Sequence, residues 1–276
     1  MSETEVAYLG PQGTYSHLVA EKVFGRQCTM MPFSTITDVC AHVARNRDRR
    51  GIVPIENSSG GAIYETVDIL LGNKPRVCIG EEVTLKVNLA LLGRKGEKIG
   101  ILYSHFAPLE HCTTWLKRRL PHVEKQVVSS TAVAARRAFV DSNAAALGHR
   151  KLAKLCNLDV LEYPVEADVP NITMFLSIGG GNRILPEGTK TTLAVNLPNK
   201  PGALCTFLEA FRSEDVNLSR IISRPIRGCP REYAFLVDIE GHARAPRSRR
   251  ALAAARKVSA ELRLVGCYPR RRPFSS

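Results

Sequence analysis

The first 180 residues alternate short apolar runs with stretches whose apolar positions recur every three or four residues. EVAYLG reads as a strand and TYSHLVAEKVFG as a helix closed by glycine. CTMMPF and RGIVPIEN continue as strands. STITDVCAHVARN, capped by Ser34 or Thr35, and AIYETVDILLGN continue as helices. CIGEEVTLKVNLALLG holds one or two strands. Beyond it IGILYSH, KQVVSS, NAAALGH and DVLEYPVEA read as strands, with FAPLEHCTTWLKRRLP, TAVAARRAFVDS and RKLAKLCNL as the helices between them. A last strand, within VPNITMFLSIGGG, starts after a proline and stops at three glycines. On it Thr173 and Phe175 share one face, and Ile172 and Met174 share the other unless a bulge intervenes.

Repeated strand–helix units predict an α/β fold with ligands at the carboxyl ends of the strands. The rhythm breaks around residues 80–93 and resumes. That predicts two α/β lobes with a cleft between them, over residues 1–182. GGGNRILPEGTK then reads as a linker. From 190 to 276 the pattern is strand, helix, strand, strand, helix, strand, a ferredoxin-like βαββαβ order.

No apolar run reaches membrane-spanning length, and MSETEVAYLG lacks the basic and apolar regions of a secretory leader. Both point to a cytoplasmic protein with no membrane partner. The eight cysteines include no C-x-x-C pair, so no metal or cofactor is implied and free thiols are expected. Charge is uneven: residues 1–189 carry 22 basic and 19 acidic side chains, residues 190–276 carry 17 and 7. The basic C-terminal part raises a polyanion partner. Aromatic residues are not interleaved with the arginines, so a solvated basic face is preferred to nucleic-acid binding.

Four loops can carry chemistry. LGPQGTYS joins a strand to a helix through glycines and offers unpaired N–H groups to an anion, or is a plain tight turn. VPIENSSGGAIYET clusters Glu56, Asn57, Ser58 and Ser59 beyond a strand, suited to one polar substrate or to an Asx turn with a helix cap. YSHFAPLEHCTTW places Ser104 at a strand end and His111 on the following helix as a polar wall. VVSSTAVAA sets Ser130 and Thr131 at a helix start, which suits a carboxylate or is simply a cap.

Together YLGPQGTYSHLVA, VPIENSSGGAIYETVDILL, SH-x5-HC-x2-WL, SSTAVAA and N-x-T-x-F resemble prephenate dehydratase in order and spacing. NKPGALCTFLEAF, ISRP, DIEGH and VGCYP resemble its ACT regulatory domain. The resemblance covers nearly the whole chain. It implies a two-lobed catalytic domain like a periplasmic binding protein, an ACT domain behind it, and conversion of prephenate to phenylpyruvate in phenylalanine biosynthesis. It assigns catalysis to Thr173 with Glu56, Asn57 and Ser104, and substrate contact to Gly13, Thr14, Ser58, His111, Ser130, Thr131 and Phe175. It places L-phenylalanine, as effector, near Gly202, Ala203, Leu204 and Ser223, Arg224, Pro225, in a homodimer or homotetramer. Three positions depart from the family pattern. Met174 stands for the arginine of T-R-F, His111 for a glutamine, and Ile222 for the glutamate of ESRP. Met174 is expected to look away from the cleft, and Ile222 to weaken phenylalanine control. Arogenate dehydration, prephenate decarboxylation and a weakly catalytic amino-acid sensor stay open as other readings.

Overall fold

The computed structural model describes residues 4–25, 27–72, 74–180, 184–226, 228–229 and 231–276. The chain runs β1 (Glu5–Leu9), α1 (Tyr15–Phe24), β2 (Thr29–Phe33), α2 (Ile36–Ala44), β3 (Arg50–Asn57), β4 (Gly61–Ala62), α3 (Tyr64–Leu71) and β5 (Cys78–Lys86). It then crosses into a second lobe made of β6 (Leu89–Gly93), β7 (Ile101–Ser104), α4 (Phe106–His111), α5 (Thr113–Arg119), β8 (Glu124–Val127), α6 (Thr131–Val140), β9 (Ala144–Gly148), α7 (Lys151–Cys156) and β10 (Asp159–Val165). It returns as β11 (Ile172–Gly179). The C-terminal domain follows as β12 (Lys190–Asn196), α8 (Ala203–Arg212), β13 (Leu218–Pro225), β14 (Tyr233–Glu240), α9 (Pro246–Val258) and β15 (Glu261–Tyr268), with a short β16 (Phe274–Ser275) at the end.

Three sheets result. The first has the order β16-β5-β11-β3-β1-β2 with β4 against β3; the second is β10-β6-β9-β7-β8; the third is β13-β14-β12-β15. The two α/β lobes and the βαββαβ unit expected from the pattern are therefore present. The apolar stretch from Cys78 to Gly93 is two strands in two different sheets, so the chain changes lobe at Val87–Asn88. One expected helix is two: α4 and α5 break at Cys112. The segment leading into β11 causes the break. The Asp168 N–H donates to the His111 carbonyl at 2.7 Å, and its carboxylate accepts from the Thr114 N–H at 3.2 Å.

β11 lies between β3 and β5, antiparallel to both. Phe175 packs in a core shared with the second lobe, beside Val83, Leu85, Leu102 and Trp115. Leu176, Ile178 and Met174 pack on the other face with α2, α3 and the C-terminal residues Ala194, Leu236, Val265 and Tyr268. The first sheet is thus covered by α1 and the second lobe on one side, and by helices and the C-terminal sheet on the other. The third sheet buries its remaining face under α8 and α9, around Phe207, Phe211 and Val237.

Residue 182, the expected domain boundary, falls in 181–183, outside the described residues. The rest of the expected linker is docked. The Leu185 N–H donates to the Cys267 carbonyl at 2.9 Å, and the Leu185 side chain packs on the interface core. Beyond β15 the tail turns back onto the first sheet. β16 runs parallel to β5, and Phe274 joins the core. Ser276 Oγ accepts from the Asn88 N–H at 2.9 Å, and Tyr163 Oη donates to the Ser276 carbonyl at 3.1 Å. All eight cysteines are free.

Candidate active site

Register explains how the strands present their polar ends. Thr173 sits directly opposite Asn57, and Met174 opposite Glu56. Opposed residues share a face, so Thr173 and Asn57 look toward the second lobe with Phe175. Asn57 Nδ2 donates to Thr173 Oγ1 at 2.9 Å and to Asn171 Oδ1 at 3.1 Å. Asn57 Oδ1 accepts from the N–H groups of Ser59 at 2.9 Å and Gly60 at 3.1 Å. Those two bonds fix which end of the amide faces Thr173. Because Thr173 accepts from Asn57, its own hydroxyl proton is left to donate, and no acceptor for it is present among the described residues. Ser58 ties the loop to the start of β11, donating through Oγ to the Pro170 carbonyl at 2.9 Å and accepting from the Ile172 N–H at 3.0 Å. Ser59 Oγ meets His111 Nδ1 at 3.3 Å across the lobes. His111 is 1% exposed, its Nε2 has no partner among the described residues, and burial holds its pKa below the usual range.

A second group gathers at two helix starts. Thr14 caps α1, accepting from the His17 N–H at 3.3 Å, and Ser130 caps α6, accepting from the Val133 N–H at 3.1 Å. Thr131 is the buried first residue of α6. Gly13 has φ +91°, and a Cβ there would lie 2.8 Å from Leu152 Cδ2 and 3.6 Å from Ala132 Cβ. The positive φ is what calls for glycine here, and a side chain would also crowd Leu152 of α7. His149, at the end of β9, meets the Gly13 carbonyl through Nε2 at 2.9 Å. Burial lowers its pKa to about 4, so Nε2 carries the proton and donates. Among the described residues its buried Nδ1 has no partner, and neither does Tyr15 Oη, whose ring lies 5.4 Å from the imidazole.

Two candidate catalytic residues stand apart from Thr173. Ser104 is fully buried at the end of β7, and its hydroxyl donates to the neighbouring His105 carbonyl at 3.0 Å. Glu56 turns to the opposite face, because β3 runs on through Asn57 and adjacent strand residues alternate. There its Oε2 accepts from Arg220 Nε at 3.0 Å, an arginine of β13. Met174 looks the same way, with its sulfur 3.6 Å from Arg220 Nη2. A register shift between Met174 and Phe175 displaces β3 relative to β11 just below the Thr173–Asn57 pair.

The expected effector residues divide between two places. Ala203 and Leu204 line a cavity of about 150 Å³ with Pro198, Lys200, Tyr233 and Phe235. Arg224 and Pro225 border a larger groove against α3. Arg224 pairs with both carboxylate oxygens of Asp68, at 2.6 and 2.9 Å, and stacks on Tyr64. Gly202 starts α8 at φ 77°, and Ser223 faces outward. Ile222 faces inward and packs on the same interface core as Met174.

Sequence reading missed Asn171, His149, Tyr15 and Arg220. Asn171 is the asparagine of N-x-T-x-F and Tyr15 the second tyrosine of YLGPQGTYSHLVA, so both lie within motifs of the sequence. Arg220 reaches Glu56 across 164 positions, which no local pattern reports.

The family model of prephenate dehydratase matches residues 6–183, and that of the ACT domain residues 191–257. A bifunctional chorismate mutase/prephenate dehydratase of Stutzerimonas stutzeri is 36% identical over 269 residues, covering 96% of this chain and 73% of the relative. Prephenate dehydratase from Arthrobacter aurescens, solved in complex with L-Phe, superposes with a TM-score of 0.87 at 29% identity, over 97% of this chain and 90% of that one. GqqA, described as a novel type of quorum quenching acylase, superposes with a TM-score of 0.87 at 26% identity, over 97% and 98% of the chains.

Proposed function

The chain belongs to the prephenate dehydratase family and carries a C-terminal ACT domain, and from there we propose that it turns prephenate into phenylpyruvate with Thr173 assisting loss of the ring hydroxyl. The reaction breaks the bond to the ring carboxylate, which leaves as CO2. Its electron pair enters the ring, and the 4-hydroxyl leaves as hydroxide and becomes water with one proton. Aromatisation drives the step, so the protein has to orient the ring and stabilise the departing oxygen. Thr173 does this by hydrogen bonding to the developing charge rather than by full proton transfer. The observation that carries the reading is the bond from Asn57 to Thr173 Oγ1, which leaves the threonine proton pointing elsewhere. The starts of α1 and α6, with Gly13, Thr14, Ser130 and Thr131, hold the substrate carboxylates through first-turn N–H groups. Ser58 and His111 close the site from either lobe, and Phe175 underlies it.

L-Phenylalanine is the effector, bound at the Gly202–Leu204 turn. In one copy this turn and the Arg224–Pro225 segment border separate cavities. That favours a site shared between copies in a homodimer or homotetramer. Purified protein is incubated with prephenate, and phenylpyruvate and CO2 are followed separately, with arogenate in parallel. Equal amounts of both products support the reading; CO2 alone, or turnover of arogenate only, overturns it. Thr173→Ala is expected to lower kcat by about 100- to 1000-fold, as loss of a transition-state donor does. Met174→Ala changes kcat by less than about tenfold, since its side chain never meets substrate. Equal losses would mean that the face assignment is wrong.

A further inference from the structure

We propose that Arg220, a residue of the ACT domain, is a positioning residue for the reaction at Thr173, acting through Glu56. The inference rests on the proposed role of Thr173. Arg220 leaves the C-terminal sheet and spans the two strands that flank β11. Its Nε lies 3.0 Å from Glu56 Oε2 on β3, and its Nη2 lies 3.5 Å from Glu82 Oε2 on β5. Between those strands it passes over Met174 of β11, 3.6 Å from the sulfur. At its own root it pairs with Asp238 of β14. The side chain is 6% exposed, and the carboxylates of Glu82 and Asp238 also hold Lys190, at 2.6 and 2.8 Å. A planar guanidinium spreads five donors over a rigid fork and so reaches carboxylates on three strands, whereas an ammonium gathers its three donors at one point.

The place of this staple gives it a consequence for the site. The ladder between β3 and β11 shifts register immediately after the Met174–Glu56 pair. Two pairs lie beyond the shift, Met174–Glu56 and Thr173–Asn57, and Ser58 bonds on to Ile172, so the hold on Glu56 is one of the restraints that place Asn57. Asn57 in turn donates to Thr173 Oγ1. Release of Glu56 therefore lets the end of β3 move relative to β11. A displacement of about 1 Å at such a group can cost 100-fold in rate.

The test compares kcat, KM and thermal unfolding for wild type, Glu56→Gln, Arg220→Gln, Arg220→Lys and the Glu56→Gln/Arg220→Gln double variant, with Thr173→Ala beside them. Assays run well below each melting temperature. Glu56→Gln and Arg220→Gln are each expected to lower kcat by about 10- to 100-fold with little change in KM. The double variant loses no more than the worse single one, because both break the same contact. Arg220→Lys recovers part of the loss. If Arg220→Gln fails to fold, Glu56→Gln and Arg220→Lys still decide. Wild-type kcat in Glu56→Gln, while Thr173→Ala is inactive, overturns the staple and leaves the Thr173 reading intact. Multiplying losses in the double variant also overturn it. A wild type that makes no phenylpyruvate removes both.

Discussion

Met174 and Ile222 were two separate departures in the sequence, and they meet at one interface. Both pack on the core between the first sheet and the ACT sheet. Relative to the family's T-R-F and ESRP, one position has lost a cation and the other an anion. The charges at that interface are already paired: Glu56, Glu82 and Asp238 meet Arg220, and Lys190 meets Glu82 and Asp238. Restoring one charge alone should therefore harm the protein. Met174→Arg adds a cation against Arg220, and Ile222→Glu adds a half-buried carboxylate; each is expected to lower unfolding free energy by about 2 kcal/mol or more. The double variant should regain about 1–3 kcal/mol relative to their sum. Urea titration of all four proteins checks this, and strict additivity would refute it. Strand alternation was enough to assign the faces of Thr173 and Met174. The same rule separates Glu56 from Asn57 at the end of RGIVPIEN, and grouping both with Ser58 and Ser59 as one polar cluster passed over it.

Among the elements, α2 and α6 start at caps that the sequence pattern offers. A hydroxyl before an apolar period satisfies an orphan N–H, which made Ser34 or Thr35 legible as the cap of α2 and the serines before α6 as its cap; Thr14, read as part of the helix, is the cap of α1. The break between α4 and α5 was not legible, because Asp168 reaches it from the far end of the lobe. The end of β9 carries a titratable contact of the same long-range kind. His149 is 2% exposed and joins the lobes at Gly13. Its folded pKa is depressed to about 4 by burial, against 6.5 unfolded. Between those values the unfolded chain binds the proton and the folded chain does not, so stability falls as pH drops from about 6.5 toward 4. The full effect for one such group is about 3 kcal/mol. His111 shifts in the same direction. Chemical denaturation at pH 7 and pH 5 is expected to show about 2 kcal/mol of this loss, and His149→Gln should flatten the slope. An unchanged slope would place the pH dependence elsewhere.

For the molecule as a whole, the charge imbalance between the two halves has a structural use. Arg220, Arg224, Arg270 and Arg271 of the C-terminal part pair with Glu56, Asp68, Glu82 and Glu81 of the catalytic part. Arg263 donates to the carbonyls of Leu70, Leu71 and Gly72 at the end of α3. Much of the basic excess is therefore turned inward, onto the other domain, which composition alone had no means of showing. Lys190 is the most deeply placed of these cations, with Glu82 and Asp238 both within 2.8 Å. Lys190→Met leaves two buried carboxylates short of a partner and is expected to cost about 3–5 kcal/mol. Differential scanning calorimetry would register that loss, and a neutral result would mean that water replaces the lysine.

The returning tail also bears on how the chain is made. The first sheet contains strands from residue 5 and from residue 275, and β16 pairs with β5 across nearly 190 positions. A ribosome has to deliver the entire ACT domain before that sheet can be finished. Until then β5 presents an unpaired edge, and the part of the Leu176–Ile178–Met174 face that α2 and α3 do not cover is exposed. A fragment ending at residue 180 should therefore be protease-sensitive and prone to aggregate. The domain built first in sequence would be among the last to become native.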